Sequence, residues 1–326
     1  MDTANQRSSP VVQEARSKYS RSFLNLAIYA TFSQLVVILL ATAVRAAQGS
    51  DTLQAPVRYA IQFGTMYALG LPLYLLISKN MEISPPKKQP LKVWHYFLLI
   101  PVLLCLMYTG NLIGMLFGWL VAVITGVDIQ STTIQQNIYG EYGYIMVLAA
   151  VFLAPVVEEL LFRKVLIDRI RKFGDGKAVL LSGLFFGLFH GNFTQFFYTT
   201  LVGMLFAFVY VKTGKVLHTI ILHMTANFIG GALPYLVNAQ DVIDAVNDWD
   251  LSAVFSNIPF LIYMIVVLTL AFTGLILLLI FRKQFTFEEP QTALPEGTAR
   301  YAVTANIGFW AMLVFAAYEF GAQIMR

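Results

Sequence analysis

Charge is what this chain has least of. Asp, Glu, Lys and Arg together make up 12% of its 326 residues, against 58% hydrophobic side chains. It has a single cysteine, Cys105, inside the apolar stretch "VLLCLMYTG"; no internal disulfide can form, and the redox compartment cannot be read from it. The N-terminal stretch "MDTANQRSSPVVQEARSKYSRSF" lacks the short charged region, short apolar core and small-residue cleavage site of a signal peptide, so the first apolar segment is expected to be retained. The alternating ten-residue segments of a transmembrane barrel are missing. So are an H-E-x-x-H zinc helix, a G-x-S-x-G serine motif and a G-x-G-D aspartyl motif. There is no internal repeat of the transporter kind and no separate soluble domain.

What the chain does have is long apolar runs. A mean hydropathy of +0.68 lies far outside soluble composition. Each run is close to the ~20 residues that cross a ~30 Å hydrocarbon core as a helix. Spans are expected near 23–45, 57–78, 95–124, 143–168, 178–194, 195–212, 216–237, 258–281 and 302–322. The last is the weakest, because it contains Glu319. The fold class is therefore an all-α polytopic membrane protein, a bundle of about eight to nine transmembrane helices enclosing a polar intramembrane cavity.

Lys and Arg alternate between the loops. Arg7, Arg16, Lys18 and Arg21 precede the first span, Lys79, Lys87, Lys88 and Lys92 follow the second, and Lys164, Arg169, Arg171, Lys172 and Lys177 surround the end of the fourth. The loop at 127–142 has none, and the loop at 238–257 holds only acids, Asp241, Asp244, Asp248 and Asp250. This pattern predicts a cytoplasmic N-terminus and an external C-terminus, as in a bacterial cytoplasmic membrane. The net charge of +4 suits basic cytoplasmic loops and does not point to nucleic acid. Gly110, Gly114 and Gly118, and again Gly183, Gly187 and Gly191, recur every fourth residue and predict close helix packing within the chain.

Against this background the stretch "APVVEELLFRKVL" (154–166) stands out. Ionisable groups inside a span are costly enough to be functional hypotheses by default. Glu159 and Arg163 are i,i+4 with the acid first, the favourable order for a helical ion pair, which could be purely structural. Glu158 points about 100° away with Phe162 at its own i+4 position, so its partner must come from another helix. Candidates are His190, one turn after Phe186, and His223 with Asn227, i,i+4 on one helix face. His95 and His218 lie near predicted interfaces and read as bland. A carboxylate and an imidazole can share a water and take its proton, making a nucleophile without Ser or Cys. A His and an Asn on another helix can donate hydrogen bonds to the oxyanion of an attacked carbonyl.

E-E-x-x-x-R (Glu158, Glu159, Arg163), F-x-x-x-H (Phe186, His190) and H-x-x-x-N (His223, Asn227), in this order on successive helices, resemble the CPBP family. These are the CAAX proteases and bacteriocin-processing enzymes, also called Abi proteins, and they include the type II CAAX-prenyl endopeptidases. The resemblance covers about residues 148–232. It implies an intramembrane endopeptidase in which Glu158 and His190 activate water, His223 and Asn227 stabilise the oxyanion, and Glu159 and Arg163 support the site. The implied partner is a membrane-associated peptide or protein, including a C-terminal or leader segment, met within the lipid bilayer.

The chain then divides into an N-terminal segment with three spans (1–142), a catalytic core of four (143–237), and an acidic loop with one or two more (238–326). No cofactor is favoured. Zinc would have Glu158, His190 and His223 as its ligand types, but Arg163 competes for Glu159, and Asn227 shares the face of His223. The competing functions are a non-catalytic membrane scaffold or chaperone on the same fold, and a proton-coupled transporter.

Overall fold

The computed structural model describes residues 3–127 and 138–324. Among the described residues the fold is all-helical, and eight helices are long and apolar enough to cross a membrane. The main helices are α1 (Pro10–Gln48), α2 (Ala55–Ser78), α3 (Val93–Thr125), α4 (Gly143–Phe173), α5 (Asp175–Phe189), α6 (Phe193–Thr213), α7 (Val216–Leu236), α8 (Ile258–Gln284) and α9 (Ile307–Ile324).

Three boundaries differ from the sequence expectation. The ninth span starts at Ile307 rather than 302, after a break that separates it from the short helix Ala299–Thr304. The fifth run does not reach residue 194. Helix α5 has 15 residues, about 22 Å at ~1.5 Å per residue, which is short of a full crossing. The reason is local. Gly191 has φ of 57°, a left-handed conformation that suits glycine. Asn192 then caps α6 by accepting from the backbone N–H of Thr194 and Gln195. At the other end of the chain, the polar N-terminal stretch is already helical, in a short helix Thr3–Arg7 and then continuously from Pro10. Helix α1 is 39 residues, about 58 Å, so its first turns extend past the bilayer. There they bury Val12, Ala15 and Tyr19.

The basic loops named above meet at one end of the bundle. The α2–α3 loop is strapped across it: the Ser84 N–H donates to the Asp168 carbonyl at 2.6 Å, and the Gln89 N–H to the Thr213 carbonyl at 2.8 Å. Arg171 is buried, pairs with Asp175 at 2.9 Å and donates to the carbonyls of Ser84 and Pro85. The segment after α8 joins through the Thr292 N–H, which donates to the Lys172 carbonyl at 3.0 Å. Lys172 reaches Glu14 of α1 at 2.7 Å. Lys18 donates to Glu82 in the loop and is the main cause holding that carboxyl below its ordinary pKa.

Helix α6 lies at the centre, between the two glycine rows. Gly110 and Gly114 of α3 approach the backbone at Tyr198 and Thr194, while Gly183 and Gly187 of α5 approach Met204, Thr200 and Phe196. A side chain at any of these positions would meet backbone, which makes the rows packing faces within one chain.

The orientation is testable by labelling. Cys105 is buried, so a Cys105→Ser background is expected to fold. A cysteine in place of the exposed Lys88 should react with an impermeant maleimide only from the cytoplasmic face, and one in place of the exposed Asp248 only from the opposite face. Labelling of both from the same face would overturn the topology.

Candidate active site

Helix α4 carries both glutamates and is not a regular α-helix. It widens into π turns at Ala149–Leu153 and Leu160–Ile167, on either side of Ala154–Glu159. The first has a covalent cause. Pro155 has no N–H to donate, and its ring crowds the carbonyl four residues back, so the preceding turn expands. The same pairing occurs at Gly64–Gly70 before Pro72 and at Phe228–Ala232 before Pro234. The turn at Leu160–Ile167 has no proline to explain it, and it begins directly after Glu159.

Each π turn has a carbonyl that accepts from a side chain on another helix. Tyr29 donates to Met66 at 3.4 Å, Asn227 to Ala150 at 2.7 Å, Ser182 to Phe162 at 2.9 Å, and Tyr263 to Ile229 at 3.0 Å. Where no water is at hand, these bonds satisfy backbone that leaves the α pattern.

At the centre is a chain of ionisable groups. Arg163 Nε lies 3.0 Å from Glu159 Oε2, and both side chains are fully buried. The other oxygen, Glu159 Oε1, lies 3.0 Å from His223 Nδ1. The far side of that imidazole, His223 Nε2, faces Glu158 Oε2 at 3.8 Å. Arg163 also donates to the Gly203 carbonyl at 3.2 Å and lies over the rings of Phe186 (4.6 Å) and Phe206 (5.5 Å). These cation–π contacts help to hold a desolvated guanidinium.

Two protons can be placed from these partners. A carbonyl only accepts, so His190 Nδ1–H donates to the Phe186 carbonyl at 2.7 Å, and the Nε2 lone pair is left free. The Glu159 carboxylate, ion-paired with Arg163, likewise accepts from His223 Nδ1–H, so His223 Nε2 is directed at Glu158. Exposure then separates the group. Glu159 and Arg163 are at 0% and His223 at 5%, whereas the Glu158 side chain retains 14%.

The sequence-predicted residues come together around His223. Glu158 finds its partner on another helix, as expected, and of the two candidate histidines the one it faces is His223. His190 joins the cluster through Phe186, whose ring meets it edge-on at 4.8 Å and meets His223 edge-on at 5.6 Å. Asn227 sits one turn beyond His223 and uses one amide N–H on Ala150, which leaves the second. Among the described residues no group of three His, Cys, Asp or Glu side chains is gathered as a metal-binding cluster.

Three participants were not anticipated. Ser182 is four residues before Phe186 and eight before His190, so its place on their helix face was readable. Phe206, stacked on His223 at 5.2 Å, and the Gly203 carbonyl carry no polar or spacing signal in an apolar helix.

Residues 141–229 match the family model for Type II CAAX prenyl endopeptidase Rce1-like proteins. This interval holds all three motifs and overlaps the resemblance drawn from them. A curated relative, "Putative membrane peptidase YdiL" of Bacillus subtilis, is 29% identical over 84 residues, which is 26% of this chain and 34% of the relative. The chain thus matches about a third of the length of that relative. No solved structure matches the chain.

Proposed function

We propose that this protein is a membrane-embedded endopeptidase in which Glu158 is the general base for a hydrolytic water. The observation that carries the reading is the order of the cluster. Three buried groups, Arg163, Glu159 and His223, lead to one carboxylate that is still accessible. The family match over the same helices supports a membrane peptidase.

In this reading Glu158 and His190 Nε2 bind the water, and Glu158 takes its proton as the oxygen attacks the peptide carbonyl carbon. The negative charge that forms on the carbonyl oxygen is met by the second amide N–H of Asn227 and by His223. His223 acts through Nε2, on the ring edge that Glu159 orients by accepting from Nδ1–H. Collapse breaks the C–N bond, and the proton held by Glu158 passes to the leaving amine. Glu159 and Arg163 fix the imidazole and do not react. The substrate is a membrane-anchored peptide, and no metal takes part.

The test is incubation of purified, reconstituted protein with lipid-anchored peptides, prenylated and unprenylated, read by mass spectrometry of the products. Internal cleavage is expected, and elemental analysis of active, chelator-washed protein should find no stoichiometric metal. A wild-type protein that cleaves none of them favours a scaffold. One zinc per chain, with activity lost on removal and regained on re-addition, would replace the metal-free mechanism.

A further inference from the structure

We propose that α9, which lies outside the matched interval, is a positioning element for His190, acting through Gln323 and Glu319 on the turn that joins α5 to α6. The proposal rests on the reading of His190 as a catalytic residue.

The turn is three residues long, His190, Gly191 and Asn192, and is built with little slack. The imidazole is tied to α5 by its bond to the Phe186 carbonyl, so it goes wherever the free end of that short helix goes. A helix start leaves four N–H groups without intrahelical acceptors, here those of the cap Asn192 and of Phe193, Thr194 and Gln195 in the first turn of α6. Asn192 serves Thr194 and Gln195. That of Phe193 donates to Gln323 Oε1 of α9 at 3.2 Å.

One turn earlier on α9, Glu319 packs on Gly191. A Cβ added at that glycine would stand 2.7 Å from the Glu319 Cβ. Rings close the contact on both sides of the turn: Phe315 stacks with Phe189 at 6.5 Å, and Phe320 meets Phe193 at 4.5 Å. One face of α9 therefore grips the last residue of α5, the turn and the first residue of α6. This also gives Glu319 a place inside the fold, where the sequence alone showed only a charge weakening a span.

The experiment compares Gln323→Met, which keeps length and loses the acceptor, with Gln323→Glu, which keeps an acceptor oxygen. Hydrogen exchange of peptides covering residues 190–195 is measured beside kcat and KM on a lipid-anchored peptide. The methionine variant is expected to exchange about tenfold faster there and to lose about tenfold in kcat, with KM held within about twofold. The glutamate variant should restore both. Unchanged exchange in the methionine variant overturns the contact. Faster exchange with unchanged kcat, or no recovery with glutamate, overturns the positioning role. If the wild type cleaves nothing, the catalytic reading of His190 falls, while the exchange comparison still decides whether α9 holds the turn.

Discussion

Glu158→Gln protein is expected to accumulate and fold like wild type and to cleave no peptide above background. The amide keeps the shape of the side chain and can still face His223 Nε2, 3.8 Å from the carboxylate it replaces, but it cannot take the proton of a water. The loss should be at the upper end of general-base effects, about 10³-fold or more. Asn227→Ala is the contrast. It removes one oxyanion donor, an effect of about 10²–10³-fold, and should leave measurable turnover. It also deprives the Ala150 carbonyl of its partner, so its melting temperature should fall where that of Glu158→Gln does not. Wild-type turnover in a well-folded Glu158→Gln protein would end the catalytic assignment.

The largest stability effect is expected at Arg163. Substitution by methionine leaves the Glu159 carboxylate fully buried with no cation beside it. Breaking a buried pair from one side costs about 3–5 kcal/mol, so Arg163→Met should aggregate at far lower temperature in detergent. The Glu159→Gln/Arg163→Met double variant removes both charges and is expected to recover most of that stability. Its activity should stay low, because His223 Nδ1–H then donates to a neutral amide, which holds the ring less firmly than the carboxylate. Equal thermal stability of Arg163→Met and wild type, by size-exclusion profile after heating, would show that the pair does not hold the fold.

Much of this was legible in the chain, for identifiable reasons. Bilayer thickness and hydropathy give the long helices, and the alternation of Lys and Arg anticipates that the loops at 79–92 and 168–177 share one end. The glycine rows announce close packing, although only the structure shows that Gly110 and Gly114 on one side and Gly183 and Gly187 on the other press on α6, while Gly191 meets Glu319 of α9. At the site, the i,i+4 pair of Glu159 and Arg163 was readable because both partners lie on one helix. The contact of His223 with both glutamates was not. It depends on how α7 meets α4, and in a chain where nearly every helix is apolar, composition does not say which faces meet. The π turns before Pro72, Pro155 and Pro234 follow from proline chemistry, whereas the turn at Leu160–Ile167 left no sequence mark.

The π turn at Ala149–Leu153 has a consequence for which way Glu159 faces. In the first part of α4, Tyr144, Leu148 and Phe152 follow one another at i,i+4 and are exposed, at 51%, 55% and 57%, with Leu153 beside them at 44%, and so mark the lipid side. In an uninterrupted α-helix, eleven residues complete almost whole turns, and Glu159 would lie within about 20° of Leu148. It would then point into hydrocarbon, where an acidic side chain costs on the order of 2.5–3.5 kcal/mol. One extra residue in the expanded turn shifts the rotational phase by about 100° and swings Glu159 into the bundle, where it is fully buried beside Arg163. Pro155 thus acts as a phase adjuster. Deleting a single residue from 149–153 would leave every motif intact in the sequence while turning the ion-pair acid back toward the lipid.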